Sequence, residues 1–489
     1  MWPLLGAIAA CISKRWSNVV PIVLRMMRAL SHRGNDAFGV ATFDKLEISK
    51  QIDDLRFQDL DSSVSIGYNL MQILSADIPQ PVQLSEGAIA FDGELYTNKS
   101  VLGVSDILQN MNESASDVPT TLVRSGDGAF SVSVVADGKI VLARDSLGLK
   151  PLYYGESDEF YAAASEKKAL WNIGIGSPNS LPAGHVATMT NESVALNPVR
   201  TITGVVKTAN DSIVQEVHEQ IKNSINARTG DINDVAIAFS GGLDSGLVAH
   251  MAKLLGKNVT AVSVGIHGSR DLVLAEEGAR QLQIPMIRRS FKKEDVENAV
   301  KQVLWNMEDA NPMKVEVAIA MRWIAETAAE HGFKVVLTGQ GGDELFAGYA
   351  KFARILGSQG PKVAEDAMIQ SIVDAPATNY ARDEQVFAPY RLRLRHPFAN
   401  WELTQLALSI PIQSNIRTGS DQLRKRILRE AARIAHLPSS IVEAPKRAVQ
   451  FGSGIHRTLS EIAKKKKMSV RQFVEKSYDE LGFELPNVA

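Results

Sequence analysis

The chain has 489 residues, 45% of them hydrophobic and 22% charged, with a net charge of -2. That length exceeds what one hydrophobic core supports, so two domains are expected, and the composition excludes a disordered chain. A nearly neutral protein offers no global field for nucleic acid. The single cysteine, Cys11, excludes an intrachain disulfide framework and a cysteine-cluster zinc site, in keeping with a reducing compartment such as the cytoplasm.

The first element is the apolar run MWPLLGAIAACIS. Its positive charges, Lys14 and Arg15, follow the run, whereas a secretory signal carries them in front. From Trp2 to Ile12 it has about half of the roughly 20 residues a membrane span needs, and no other stretch stays apolar long enough, so no membrane contact is expected. It reads as a β-strand. VVPIVLRMMRALSH follows as an amphipathic helix, with His32 in the turn after it. Up to about residue 200, runs such as SVSIGY, GAIAFDGELY and GAFSVSVVADGKIVLARD, broken by Asp-Gly turns, read as antiparallel strands and hairpins. SIVQEVHEQIKNSI then places Val214, Val217, Ile221 and Ile225 at helical spacing. The domains are accordingly set at 1–200 and 201–489. In the second, VAIAF, VTAVSVGI and KVVLTG read as strands. They alternate with helices through LVAHMAKLL, LAEEGARQL and Val315 to His331, a pattern that implies a parallel sheet covered by helices. Lys464 to Lys467 reads as a solvated helix end.

The strongest chemical signal is VAIAFSGGLDSGLVAHMAKLL. A strand ends in Ser240-Gly241-Gly242-Leu243-Asp244-Ser245 and a helix begins at once, so backbone N–H groups converge at a positive helix terminus and form an anion cradle. The glycines admit a phosphate, Ser240 and Ser245 can donate hydroxyl bonds, and Asp244 is the hard oxygen ligand that Mg2+ on a polyphosphate takes. A Gly-rich turn alone is more often a capped βα connection, and no Lys follows to make the GxxxxGK[ST] loop.

The full string resembles the SGGxDS loop of ATP pyrophosphatases. KVVLTGQGGDELFAGY is similar to the matching strand and loop of asparagine synthetases, in which Glu usually stands where this chain has Gln340. The resemblance implies ATP and Mg2+ as cofactors, Asp343 beside Asp244 as second metal ligand, and Gly339 close to the nucleotide. SVGIHGSRD, with Val264, resembles the segment that lines adenine and ribose. EAPKRAVQFGSGI resembles the late loop whose lysine supports the adenylating centre, which falls on Lys446.

ALSHRGNDAFGVAT, AFDGELYTN, RSGDGAFSVSVV and ASEKKALW likewise resemble the glutamine amidotransferase domain of the same family. The resemblance implies a two-domain α/β protein: an N-terminal-nucleophile-type α/β/β/α sandwich followed by a parallel-sheet ATP-pyrophosphatase domain. That family uses an amino-terminal cysteine as nucleophile, and here Trp2 stands in its place. The family's Asn-Gly-Glu string reads Asp92, Gly93, Glu94, where a carboxylate would repel the oxyanion the Asn binds, and Asn69 replaces the arginine that holds the substrate carboxylate. Cys11 reads as a buried apolar residue. Glutaminase activity is expected to be lost.

The resulting expectation is an asparagine-synthetase-like ligase that turns aspartate, ATP and ammonia into asparagine, AMP and pyrophosphate through an acyl-adenylate. The family suggests a homodimer. Two alternatives stay open: a ligase on another carboxylate, like β-lactam synthetase, and a non-catalytic nucleotide-binding homologue. Gln340, Arg393 and Asn400 depart from the family pattern. The row Arg391, Arg393, Arg395 is more often a solvated strand edge than a substrate site.

Overall fold

The structure is a computed structural model that describes residues 5–56, 60–73, 77–97, 101–109, 114–204, 212–417, 421, 423–445 and 452–483. Contacts divide the chain into two compact units, the first running to Thr201 and the second from Ile202 to Leu481.

The strand Leu5–Ser13 shows how the first unit is layered. Successive side chains of a strand face opposite sides. Ile8, Ala10 and Ile12 enter a core shared with Phe91, Val132 and Leu142 of a second sheet, while Ala7, Ala9 and Cys11 pack against Val20, Val23 and Met27 of the helix Val20–Ala29. The expected opening strand and first helix are therefore both present. Leu5–Ser13 lies within a seven-stranded antiparallel sheet, between Val64–Met71 and Phe160–Ala164. The helix sits close on this sheet because Gly67 has no side chain: a Cβ there would lie 2.4 Å from Met27 Sδ. A second seven-stranded sheet has Gly87–Tyr96 and Asp127–Ala136 at its heart, and the helix Val118–Ser125 packs on its Lys139–Arg144 and His185–Met189 strands. The layers are α/β/β/α.

In the second unit five parallel strands run in the order Met286–Phe291, Asn258–Ile266, Asp234–Ala238, Val335–Leu337, Arg393–Arg395. Both faces are covered. Val235, Ile237, Val259 and Leu337 point into a core with the helices Ile213–Ala227 and Leu243–Leu254; Ala236, Val264 and Val336 point into another with Lys293–Met307 and Pro312–Glu330. Of the helical-period positions, Val217, Ile221 and Ile225 are fully buried and Val214 is half-buried. The order of the strands reverses between Asp234–Ala238 and Val335–Leu337, so loops leaving the carboxyl ends of these neighbours depart to opposite faces and leave a crevice between them.

The arginine row is not a solvated edge. Arg393 and Arg395 are buried beneath the helix Ala381–Phe387. Arg395 is fully enclosed and donates to Asp231 at 2.6 and 2.7 Å and to the Arg228 carbonyl at 2.8 Å. Asn400 caps the helix Trp401–Ser409, accepting from the Leu403 N–H at 2.8 Å. Lys464 to Lys467 is exposed at the end of Ile455–Lys465. Among the described residues no helix is long and apolar enough to cross a membrane.

Candidate active site

The two expected loops meet at the crevice. After Asp234–Ala238 the chain turns through Gly241, whose φ of +73 and approach to the Leu274 carbonyl (2.5 Å from an added Cβ) leave room for no side chain. The turn is tied by Ser245: its Oγ accepts from the Ser240 N–H at 3.2 Å and lies 3.1 Å from Ser240 Oγ. The helix Leu243–Leu254 begins at once, aiming its free N–H groups into the crevice. The second loop lies directly against the first. A Cβ on Gly339 would fall 2.8 Å from Asp244 Cβ and 2.9 Å from the Ser245 nitrogen.

This contact brings Asp244 and Asp343 together. Lys425, which precedes the helix Arg426–Ile434 and has φ of 64, bridges them: its Nζ lies 2.6 and 2.8 Å from the Asp244 oxygens and 2.6 Å from Asp343 Oδ1. The three side chains are 14%, 12% and 2% exposed for Asp244, Asp343 and Lys425. Gly348 makes room for the bridge, since a Cβ there would come within 2.2 Å of Lys425 Cε. Beside Asp343, Glu344 accepts from Tyr349 Oη at 2.5 Å and Asn379 Nδ2 at 2.7 Å, and burial, then the charge of Asp343, raises its pKa.

A cavity of about 240 Å3 opens over the pair. Ser240, Gly241, Gly242, Asp244, Ser245, Val264, Gly339 and Asp343 all line it, so every described residue expected in the nucleotide site reaches one space. Met321 and Ile324 of Pro312–Glu330 supply an apolar wall near Val264. Lys446 lies outside the described residues. The chain leading to it is held by Arg429, which donates to the carbonyls of Val442 and of Ala444 (3.1 Å); Ala444 and Pro445 line the cavity. Lys425 and Arg429 escape a reading of the sequence, because LRKRILRE offers several basic residues on one amphipathic helix and no local sign of which turns inward.

Among the described residues no three metal-ligating side chains converge. Two carboxylates around one cation do fit magnesium on a polyphosphate, which takes one or two protein carboxylates and completes its shell with phosphate and water.

In the first unit, Asp92, one of the residues expected to have replaced a glutamine site, joins a buried ionic network. The Asp92 carboxylate accepts from the Gly6 N–H at 3.1 Å and faces the Arg33 guanidinium at 3.6 Å. Arg33 also meets Glu166 at 3.2 Å, and Glu166 holds Lys168 at 2.5 Å and His32 at 2.8 Å. Burial would raise the Glu166 carboxyl, but its close contacts with His32, Lys168 and Arg33 prevail and hold it well below its usual range. Asn69 is buried and donates to the Met27 carbonyl at 2.8 Å. Gly93 has φ of +141 against the Ala129 carbonyl, and Glu94 accepts from Tyr96 Oη at 2.9 Å. Trp2 lies outside the described residues. Burial pushes the Cys11 thiol well up, which suits an apolar filler and not a thiolate nucleophile.

A parallel sheet with paired loops at its switch point, in a chain that also carries an antiparallel sandwich, defines a two-domain α/β protein with a candidate anion site on its second unit. The asparagine synthase family model matches residues 216–386 and 376–480, more than half of the chain, and the glutamine amidotransferase domain model matches 5–225. The chain belongs to the asparagine synthase family. It is 29% identical to the Methanocaldococcus jannaschii protein named "Putative asparagine synthetase 1 (glutamine-hydrolyzing)", over 92% of this chain and 94% of that one. It is 23% identical to glutamine-hydrolyzing asparagine synthetase B of Escherichia coli (90% and 81% covered) and 22% identical to the glutamine-hydrolyzing asparagine synthetase of Gallus gallus (99% and 88% covered). The protein is a carbon–nitrogen ligase that forms AMP and pyrophosphate.

Proposed function

We propose that the protein makes asparagine from aspartate, ATP and ammonia, and that its first domain has lost glutaminase activity. The observation that carries the nucleotide chemistry is the pair Asp244 and Asp343 sharing one cation at the mouth of the Ser240–Ser245 loop. In this reading Ser240, Gly241, Gly242 and Ser245 bind the departing pyrophosphate with N–H and O–H donors, Val264 and Gly339 border the nucleoside, and Asp244 and Asp343 hold magnesium. The metal, when bound, offsets the charge of the β- and γ-phosphates. Lys425, fixed with its ammonium beside both carboxylates, and Lys446 from the following loop neutralise charge that grows at the α-phosphate as the acceptor carboxylate attacks it. The acyl-adenylate so formed is opened by ammonia.

Loss of glutaminase rests on Trp2 and on the network around Asp92. A carboxylate already engaged with Gly6 and Arg33 cannot donate to an oxyanion. A second reading, amide formation on another carboxylate, is favoured by Gln340, a neutral group where the family usually has an acid.

The test is pyrophosphate release from ATP and Mg2+ with aspartate, using ammonium chloride or glutamine as nitrogen source. Release and asparagine with ammonia, but not with glutamine, is the expected result, and Asp244→Ala abolishes it. Asparagine formed equally well from glutamine refutes the loss of glutaminase; release only with a different acid supports the second reading. No release with any acid tried leaves a nucleotide-binding homologue.

A further inference from the structure

One polar group lining the cavity, Gln340, takes no part in the proposed metal and phosphate contacts. Gln340 lies between the two loop glycines Gly339 and Gly341 and lines the cavity, half-buried. Its side-chain amide donates to Asp383 Oδ2 at 3.0 Å. Asp383 is fully buried, and its other oxygen accepts from Arg382 Nε at 2.7 Å. A carboxylate only accepts, so the contact fixes which end of the Gln340 amide is which: the NH2 faces Asp383 and the carbonyl oxygen is left over. That oxygen has no hydrogen-bond donor among the described residues. The backbone beneath is equally fixed. The Gln340 N–H donates to Thr338 Oγ1 at 3.2 Å, and Thr338 Oγ1 lies 2.7 Å from His396 Nδ1. Burial lowers the His396 pKa to about 4, so the ring is neutral, and its Nδ1 and the threonine hydroxyl share one hydrogen bond.

Resting on the asparagine-forming reading above, we propose that the Gln340 carbonyl oxygen receives the incoming ammonia, accepting one of its N–H bonds, with Asp383 as the positioning residue that keeps that oxygen turned to the cavity. An amide neither takes nor gives a proton at neutral pH, so Gln340 orients the nucleophile without acting as its base. A neutral acceptor also gives ammonium, which has no lone pair to attack with, no charge advantage over ammonia. In the step itself the nitrogen lone pair forms the C–N bond to the acyl carbon. The C–O bond to AMP breaks with its electron pair on the phosphate oxygen, and the one surplus proton leaves to water or to AMP. Gln340 is unchanged throughout.

The experiment separates the two half-reactions in the full-length chain. Aspartate-dependent exchange of labelled pyrophosphate into ATP, without ammonia, reads adenylation; asparagine formed with ammonium chloride reads aminolysis. Gln340→Met keeps the length of the side chain and removes the acceptor. The ratio of aminolysis to exchange is expected to fall about tenfold, the scale of one hydrogen bond lost, with a raised KM for ammonia. Asp383→Ala, which leaves Gln340 free to rotate, gives a smaller fall in the same ratio. Exchange itself reports a folded site. An unchanged ratio in Gln340→Met overturns the proposal, and so does a parallel loss of both activities, which would assign Gln340 to adenylation. Absence of aspartate-dependent exchange in the unaltered chain is a different failure: it overturns the functional reading on which this one stands.

Discussion

Replacing Lys425 by Met removes one charge and little volume. In the native site that ammonium is 2% exposed and touches two carboxylates at 2.6 Å, each less than one-sixth exposed. Without it Asp244 and Asp343 face one another with no cation between them. Removing one partner of a buried ion pair costs about 3–5 kcal/mol, because the remaining charge keeps its desolvation penalty without its attraction. For a unit of this size, 1 kcal/mol moves the melting temperature by about 2–4 °C, so a fall of about 6–20 °C is expected in the transition of the second unit. The same reasoning supplies a control. Mg2+ can take the place of the missing cation, and a ligand bound to the folded state alone stabilises by about 2.7 kcal/mol at one hundred times its Kd. Differential scanning calorimetry with EDTA and with millimolar MgCl2 should therefore find Lys425→Met destabilised in EDTA and partly recovered in magnesium. A Lys425→Met transition within 1 °C of the parent in EDTA would refute the view that this lysine compensates the pair.

Two further outcomes follow from the same geometry. Gly339→Ala inserts a methyl group 2.8 Å from Asp244 Cβ, against backbone of the first loop; overpacking costs about 1–3 kcal/mol, and pyrophosphate release should fall more steeply than stability because the two loops are forced apart. His396 titrates near 4 in the folded chain against 6.5 unfolded, through burial first, opposed by the charges of Asp383 and Glu384. Because the folded value is depressed, its stabilising contribution is whole above pH 6.5 and is lost as pH falls toward 4, amounting to about 3 kcal/mol. Urea midpoints measured at pH 7.5 and 5 should drop less in His396→Asn than in the parent; equal drops contradict a neutral, buried ring.

Much of the candidate nucleotide site is legible in the sequence because its residues are contiguous. Ser240 to Ser245 sits between an apolar strand and an apolar helix, and the periods of both survive in the structure as Asp234–Ala238 and Leu243–Leu254. Lys425 is not legible: Arg424, Lys425 and Arg426 are alike by composition, and a left-handed turn and the contact across 181 residues to Asp244 single out one of them. The partner of His32 is hidden for the same reason, since Glu166 lies 134 residues away. The row Arg391 to Arg395 misleads in the opposite direction. Alternating charge on a short strand suggests an open edge, but a helix covers it and Asp231 neutralises Arg395, facts that depend on tertiary contacts alone. Asn400 is a departure from the family with a local explanation, a helix cap.

Isothermal titration of ATP with Mg2+ into the unaltered chain, Asp244→Asn and Asp343→Asn bears most directly on the idea that two loops of one sheet grip a single metal nucleotide. Each substitution alone should remove most of the affinity, and the double variant should lose little more, as expected of two ligands serving one ion. Binding at the parent's affinity by either single variant would mean that the two carboxylates do not share a ligand.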